Sequence, residues 1–173
     1  MSSADFTYDH VGASRDPEFC PPGFHHLRER TRLGEGEKVF RQAVDALFGF
    51  EMHREMGVGI DASADRAAAD VDVTVTLAGL VKAPCRVVWA AEEYREAGWA
   101  YGTLAGHPES GEEAFVVHRT GDGTVWLTVS AFSRPARWYA RAGGAATRSL
   151  QHAYARRAGK VLRRLATRGV EDA

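Results

Sequence analysis

Cysteine is scarce in this sequence and long apolar stretches are missing, and each absence argues against a class of protein. The only cysteines are Cys20 and Cys85, so we expect no disulfide framework and the reduced thiols of a cytoplasmic protein. No stretch of about 18 uninterrupted apolar residues occurs, so a membrane-spanning helix is not expected. Residues 1–8 have neither the basic nor the apolar region of a secretory signal. The sequence therefore predicts a cytoplasmic location.

An excess of charge is also missing, because 22 basic and 23 acidic residues give a net charge of −1. The charges are nevertheless distributed unevenly. Nine basic and no acidic residues lie from Arg137 to Arg168, whereas residues 1–136 hold 13 basic and 21 acidic residues. A basic terminal segment can bind nucleic acid, but it is more often the solvent-facing side of a helix on an acidic body. Nucleic acid is therefore not favoured as a partner.

The length of 173 residues and the apolar content of 45% are typical of one globular domain with a single core. Changes in residue pattern divide this domain, residues 1–173, into five segments. They are an N-terminal arm (1–23), a first strand (24–34), a helical segment (37–56), an antiparallel meander (57–133) and a C-terminal helix (136–168).

Alternation of apolar and polar residues identifies the strands of the meander. It is clearest over residues 71–77, and Gly121-Asp-Gly123 predicts a hairpin turn into the last strand. In the strand that begins near Cys85, the same alternation places Cys85, Val87 and Trp89 on one face.

A long amphipathic helix follows the strands. Its apolar residues Leu150, Tyr154, Ala158, Val161 and Leu165 lie three or four positions apart, which places them on one face. An antiparallel sheet of about six or seven strands, with its helices in separate stretches of sequence, is an α+β fold. The element order resembles that of helix-grip proteins (START-like, Bet v 1-like), in which a curved sheet grips a long C-terminal helix. That resemblance implies a cavity between sheet and helix.

A polar connection joins two strands, the first ending near Leu104 and the second beginning near Glu112. It carries His107 and Glu109, and Glu113 follows at its end. A histidine and a carboxylate that share a proton can act as general acid and base, so His107, Glu109 and Glu113 are candidate catalytic residues. The alternative is that the carboxylates accept backbone N–H groups and the histidine bonds a carbonyl, which would brace a tight connection.

A metal site in this connection has less support. His107, Glu109 and Glu112 could supply one nitrogen and two oxygens, but no second histidine lies nearby in the sequence. The His-x-Glu pattern also opens the zinc-deaminase signature, which needs a Pro-Cys-x-x-Cys partner that this chain lacks. We therefore predict no metal and no other cofactor.

Two arginines in or beside apolar strands are candidate anchors for an anion. An arginine keeps its charge, so Arg86 and Arg134 must each pair with a carboxylate or bind an anionic ligand. A structural pair with Glu112 or Glu113 is favoured over a clamp for an acidic ligand. Aromatic side chains would supply the apolar walls of a pocket. The candidate ligand-binding residues are Arg86, Trp99, Tyr101, His107, Glu112, Glu113, Phe115 and Arg134.

A set of motifs spread over nearly the whole chain matches one known family. The motifs include Gly23-Phe24-His25, Leu33-Gly34-Glu-Gly36, His53, Pro84-Cys-Arg86, Tyr101-Gly-Thr-Leu104, Gly106-His-Pro-Glu109, Gly111-Glu-Glu113, Phe115, Trp126 and Phe132-Ser-Arg-Pro135. On these residues the sequence resembles the family called domain of unknown function 1990, also uncharacterised protein family 0548. The stretch from 101 to 115 is the most specific. The resemblance by itself implies little about chemistry.

These observations support three hypotheses about function. The first is a protein that binds a small, largely apolar ligand, with an acidic head group as one option, between the sheet and the C-terminal helix. The second is a cyclase, hydrolase or isomerase on the same scaffold that uses His107 and a nearby glutamate as proton carriers. The third is an interaction module that uses the basic C-terminal helix. We favour the first, and the sequence leaves the ligand and the oligomeric state open.

Overall fold

A computed structural model of the chain describes residues 6–136 and 138–168, and for residues 138–147 it describes the backbone alone. The elements are β1 (His25–Glu35), α1 (Gly36–Phe48), α2 (Glu51–Glu55), β2 (Gly59–Ala62), β3 (Asp72–Leu77), β4 (Val81–Glu92), β5 (Glu96–Thr103), β6 (Glu109–Arg119), β7 (Thr124–Pro135) and α3 (Trp138–Thr167). No helix in these ranges is long and apolar enough to cross a membrane.

The seven strands form one sheet in the order β1-β7-β6-β5-β4-β3-β2. Strands β2 to β7 follow one another as a meander, and β1 returns to pair antiparallel with β7. The predicted turn at residues 121–123 joins β6 to β7. Gly123 there has a φ of +89°, and the Asp122 carboxylate accepts the N–H of Thr124 at 3.0 Å. The predicted α+β fold, a sheet that grips a C-terminal helix, is confirmed.

The inner face of the sheet is the face that contacts α3. One side of α3, which includes Ala155, Ala158 and Leu162, is buried against β1 and α1. Gly159 lies on the same side, and a Cβ atom there would lie only 2.1 Å from Oγ1 of Thr31. The glycine therefore permits the close approach of α3 to β1, and burial of the helix face contributes about 25 cal/mol per Å² of apolar surface.

The outer face of the sheet is covered by the N-terminal arm, of which residues 6–24 are described. Phe132 of β7 is 1% exposed because three rings of the arm surround it. The ring centroids of Tyr8, Phe19 and Phe24 lie 5.6–5.8 Å from that of Phe132 in edge-on geometry. The arm, whose first five residues lie outside the described range, is thus an ordered part of the core of this face.

A β-bulge in β4 makes one predicted side-chain direction wrong. The pairing of β4 with β5 shifts between Val87 and Trp89, so Trp89 leaves the face that it was expected to share with Cys85. Its indole Nε1 instead donates to Oγ of Ser14 in the arm at 3.1 Å.

The start of β6 is a second correction. The strand begins at Glu109 rather than near Glu112, because residues 109–113 pair in register with residues 131–135 of β7. The polar connection is therefore limited to residues 104–108. Residues 109–111, which were predicted to belong to it, are instead paired with β7 in the sheet.

The basic side of α3 lies beside acidic groups of the body. Nη2 of Arg156 is 3.2 Å from Oε1 of Glu29, and Nη2 of Arg164 is 2.9 Å from Oε2 of Glu55. Exposed pairs of this kind contribute about 0–1 kcal/mol each. They favour the explanation of a solvent-facing helix on an acidic body over a nucleic-acid surface.

Candidate functional site

A cavity of about 440 Å³ lies between the inner face of the sheet and α3. Its described lining side chains are Leu27, Val75, Leu77, Ala83, Tyr101, Thr103, His107, Pro108, Glu109, Glu113, Ala131, Ser133, Leu150, Gln151 and Tyr154. Most are aliphatic or aromatic. The polar ones come from the adjoining ends of β5, β6 and β7, from the connection between β5 and β6, and from α3, so they gather at one end of the cavity. This distribution is typical of sites for small molecules.

Tyr101, which is buried, and Glu113, which is partly buried, form the polar centre of the cavity. They are direct cross-strand partners of β6 and β5, and both point to the inner face. The Tyr101 hydroxyl donates to Oε2 of Glu113 at 2.6 Å. Burial raises the pKa of the Glu113 carboxyl to about 7, although the hydrogen bond from Tyr101 opposes this shift and nearby Glu109 adds to it. Burial also raises the pKa of Tyr101 well above its usual value.

Tyr154 of α3 reaches the same centre from the opposite wall. Its hydroxyl oxygen exposes less than 1 Å² and has no hydrogen-bond partner in the described part of the chain. Burial and then Glu113 raise the pKa of Tyr154, and the Tyr101 hydroxyl lies near enough to oppose them. A buried hydroxyl without a hydrogen bond is unusual in a folded protein. The sequence placed Tyr154 only on the apolar stripe of the helix.

Gln151, one turn before Tyr154 on α3, binds the rim of the site. Its Nε2 donates to Oε2 of Glu109 at 2.9 Å and to Oγ of Ser133 at 3.2 Å. The predicted candidate Glu109 is therefore tied to the C-terminal helix. Sequence reasoning missed Gln151 because a glutamine between apolar helix positions carries no chemical signal of its own.

His107 lines the cavity, but its hydrogen bonds are to main chain. Its Nδ1 lies 2.9 Å from both the backbone nitrogen and the carbonyl oxygen of Glu109. Burial lowers the pKa of His107 to about 4, so the ring is neutral near pH 7. No carboxylate in the described residues hydrogen-bonds to it. This geometry fits the bracing alternative rather than the predicted proton sharing with a carboxylate.

Glu112 is also a lining residue of the cavity, but its carboxylate is bonded to the arm on the outer face. There it accepts hydrogen bonds from the Tyr8 hydroxyl at 2.8 Å, from the Ser14 N–H at 3.0 Å and from the Gly12 N–H. The predicted ligand contact and the suggested metal site with His107 therefore do not form through this carboxylate. Glu112 is instead the anchor of the arm.

Arg86 and Arg134, the predicted anion anchors, are also directed away from the cavity. The Nε of Arg86 donates to Oδ1 of its cross-strand partner Asp72 at 2.6 Å. The guanidinium of Arg134 lies 4.7 Å from the ring centroid of Phe24 in the arm. Neither pairs with Glu113, and neither is among the described lining residues. An acidic head group bound by these two arginines is therefore not supported.

Trp99 and Phe115 lie behind Tyr101 in the core and are fully buried. Their ring centroids are 5.5 and 5.8 Å from that of Tyr101, so they support the tyrosine rather than line the cavity. The same cluster encloses His53 of α2, whose ring centroid is 5.0 Å from that of Phe115. Neither nitrogen of His53 has a hydrogen-bond partner in the described residues, and burial lowers its pKa to about 4.

Comparison with known proteins agrees with this architecture. The family model described as "Domain of unknown function (DUF1990)" matches residues 7–161. The chain belongs to the DUF1990 family. A UPF0548 protein of Deinococcus radiodurans is 32% identical to this DUF1990 protein over 160 residues, which cover 82% of this chain and 78% of the relative. The resemblance inferred from the motifs is therefore confirmed.

Solved structures support the fold of this DUF1990 protein at much lower identity. Ara h 8.0201 superposes with a TM-score of 0.57 at 12% identity, covering 85% of this chain and all of that one. A truncated norcoclaurine synthase from Thalictrum flavum gives a TM-score of 0.56 at 10% identity, covering 82% of this chain and 92% of the synthase. Both have Bet v 1-like helix-grip folds, and at these identities the likeness is one of fold alone.

Proposed function

We propose that this DUF1990 protein binds a small, largely apolar molecule in the cavity between the sheet and α3. The observation that carries the proposal is the cavity of about 440 Å³, with aliphatic and aromatic walls and polar groups gathered at one end. Protein interiors are close-packed and rarely leave voids much larger than a water molecule. A space of this size and lining is therefore suited to an occupant that buries apolar surface.

Apolar side chains at the border of the cavity support the same proposal. Leu77 of β3 and Leu150 of α3 line the cavity, yet 38% and 70% of their surfaces are exposed. Exposed leucines beside a cavity favour entry of an apolar ligand between the end of β3 and α3.

Binding of a neutral fluorescent probe, N-phenyl-1-naphthylamine, tests the proposal. We expect saturable fluorescence enhancement by the wild-type protein. Ala131 lines the cavity from β7, so Ala131→Phe fills part of the space and should weaken binding at least tenfold. Ala153→Phe on the exposed side of α3 is the matched control and should leave binding unchanged. Equal binding by both variants, with intact thermal unfolding, would rule out this cavity.

A second candidate function is proton-transfer catalysis in the same cavity, with Glu113 as the acid and base. It is favoured by the position of this carboxyl in the cavity beside the Tyr101 hydroxyl. Burial there raises the pKa of Glu113 to about 7, and such a group exchanges protons readily near neutral pH. Hydrolysis of p-nitrophenyl octanoate provides a test. The hydrolysis rate should rise with pH through an apparent pKa near 7, and this rise should be absent in Glu113→Gln. The same dependence of rate on pH in the wild type and in Glu113→Gln would exclude this role.

A further inference from the structure

The charge of Glu113 has no compensating cation in the described lining of the cavity. None of those lining residues is a lysine or an arginine, and the ring of His107 is neutral near pH 7. A second carboxylate, that of Glu109, lies at the same end of the cavity and acts unfavourably on the ionised form of Glu113. Carboxylates that are withdrawn from solvent are ordinarily paired with a cation. Glu113 is partly buried and has no such partner among these lining residues, so this polar centre is electrostatically incomplete.

The hydrogen bonding of this centre is incomplete in the same sense. Tyr101 uses its one hydroxyl proton on Glu113, which leaves its oxygen able to accept. The buried oxygen of Tyr154 has no partner among the described residues. Glu113, Tyr101 and Tyr154 thus present oxygen acceptors to the cavity together with two tyrosine rings, whose faces attract cations.

We propose that the polar end of the ligand is an amine, bound as the ammonium ion against Glu113 and the hydroxyl oxygens of Tyr101 and Tyr154. This inference rests on the proposed function of the cavity and names its class of ligand. An ammonium group supplies both missing features, a positive charge beside the carboxylate and several N–H donors. An amine replaces the acidic head group that the sequence suggested. The two arginines that would have bound an acidic group, Arg86 and Arg134, lie on the outer face.

Three probes with the same alkyl chain separate the head group from the chain: n-octylamine, 1-octanol and octanoate. Titration calorimetry at pH 7.5 compares their dissociation constants on the wild-type protein. We expect n-octylamine to bind at least tenfold more tightly than 1-octanol, and octanoate to bind most weakly because two carboxylates face it. Octanoate binding as tightly as n-octylamine would overturn the inference.

The variant Glu113→Gln keeps the size of the side chain and an oxygen that can accept from Tyr101. The ratio of the dissociation constants of 1-octanol and n-octylamine should fall about tenfold in this variant. Glu93→Gln changes the net charge equally at an exposed position and should leave the ratio as in wild type. Persistence of the amine preference in Glu113→Gln would contradict the inference.

The experiment also distinguishes this inference from the proposed function. Binding of all three probes without a preference for the amine would remove the head-group assignment and leave the apolar cavity supported. Failure of all three probes and of N-phenyl-1-naphthylamine to bind would overturn both.

Discussion

Glu112 and Glu113 are neighbours in β6, but the two faces of the sheet treat them differently. On the outer face, the residue Glu112 is only 2% exposed, and its carboxylate accepts three hydrogen bonds from the arm. On the inner face, the carboxylate of Glu113 has one recorded hydrogen bond, from Tyr101, and lies beside a cavity. The outer carboxylate therefore stabilises the fold, whereas the inner one retains capacity to interact with something else.

The comparison shows why burial alone is a poor guide to function. Glu112 is buried and Glu113 is partly buried, so neither is an ordinary surface residue. What separates them is hydrogen-bond satisfaction, since the carboxylate of Glu112 accepts from three donors and that of Glu113 from one. The pKa of Glu113 is raised because one donor does not offset the loss of solvent.

Removal of the outer carboxylate should have the largest effect. Glu112→Ala leaves the Tyr8 hydroxyl and two backbone N–H groups of the arm without their acceptor. We expect a loss of about 3–5 kcal/mol in the free energy of unfolding, measured by urea denaturation. Glu93→Ala, at an exposed position, should cost less than about 0.5 kcal/mol. A loss below about 1 kcal/mol in Glu112→Ala would show that the arm does not depend on this anchor.

Neutralising the inner carboxylate should have an opposite, pH-dependent effect. The pKa of Glu113 is about 7 in the folded protein and 4.5 as its ordinary value, so wild-type stability falls as pH rises from about 4.5 through 7. Glu113→Gln does not titrate and should gain up to about 3 kcal/mol relative to wild type between pH 4 and pH 8. Urea denaturation at several pH values measures this gap. A gap independent of pH would mean that the carboxyl is not held protonated by burial.

Buried His53 should give a pH effect of the reverse direction. Its pKa is about 4 in the folded protein and 6.5 ordinarily, so stability is fully present above pH 6.5 and is lost as pH falls through 4. His53→Leu should stay within about 1 kcal/mol of wild type at pH 7.5, because it also removes unpaired polar atoms. At pH 4 it should be about 2 kcal/mol more stable. Thermal unfolding scans at the two pH values test this, and equal acid sensitivity of both proteins would contradict it.

Crowding the contact between arm and sheet should have an effect similar in size to that of His53→Leu. A Cβ atom at Gly102 of β5 would lie 2.0 Å from the Tyr8 hydroxyl oxygen and 2.9 Å from Cδ1 of Phe6. Gly102→Ala should therefore displace the arm, at a cost of about 1–3 kcal/mol, and make it more sensitive to limited proteolysis. Gly121→Ala meets no atom within 4 Å and is the control. Unchanged proteolysis in Gly102→Ala would show that the arm tolerates the added methyl group.

Much of the fold could be predicted because it depends on local periodicity. Alternation identified β3 and β7, the turn residues identified the hairpin at 121–123, and the spacing of apolar residues identified α3. Alternation fails where the backbone departs from a regular pleat. The bulge beside Val87 therefore turns the Trp89 side chain to the face opposite the predicted one. No residue type in that stretch indicates the extra residue of a bulge.

The site was predictable only in part, because it is assembled from distant segments. Of the candidate residues, Tyr101, His107 and Glu113 do line the cavity. The partner of Glu112 is an arm about 100 residues earlier in the chain, and Tyr154 meets Tyr101 from a helix. Contacts of this range leave no periodic signature in a single sequence. The sequence therefore predicted only that Tyr154 packs on the apolar face of the C-terminal helix, and not that its hydroxyl reaches the site.

The pairing of β6 with its neighbours makes the spacing of this strand as consequential as its composition. Insertion or deletion of a single residue between Glu109 and Glu112 would rotate every following side chain of the strand to the opposite side of the sheet. Glu112, the anchor of the arm, would then face the cavity, and Glu113 would face the arm. Divergent copies of this chain can accordingly change their binding chemistry through substitutions, but any change of length in this segment must come in steps of two or fall in the loop that precedes it.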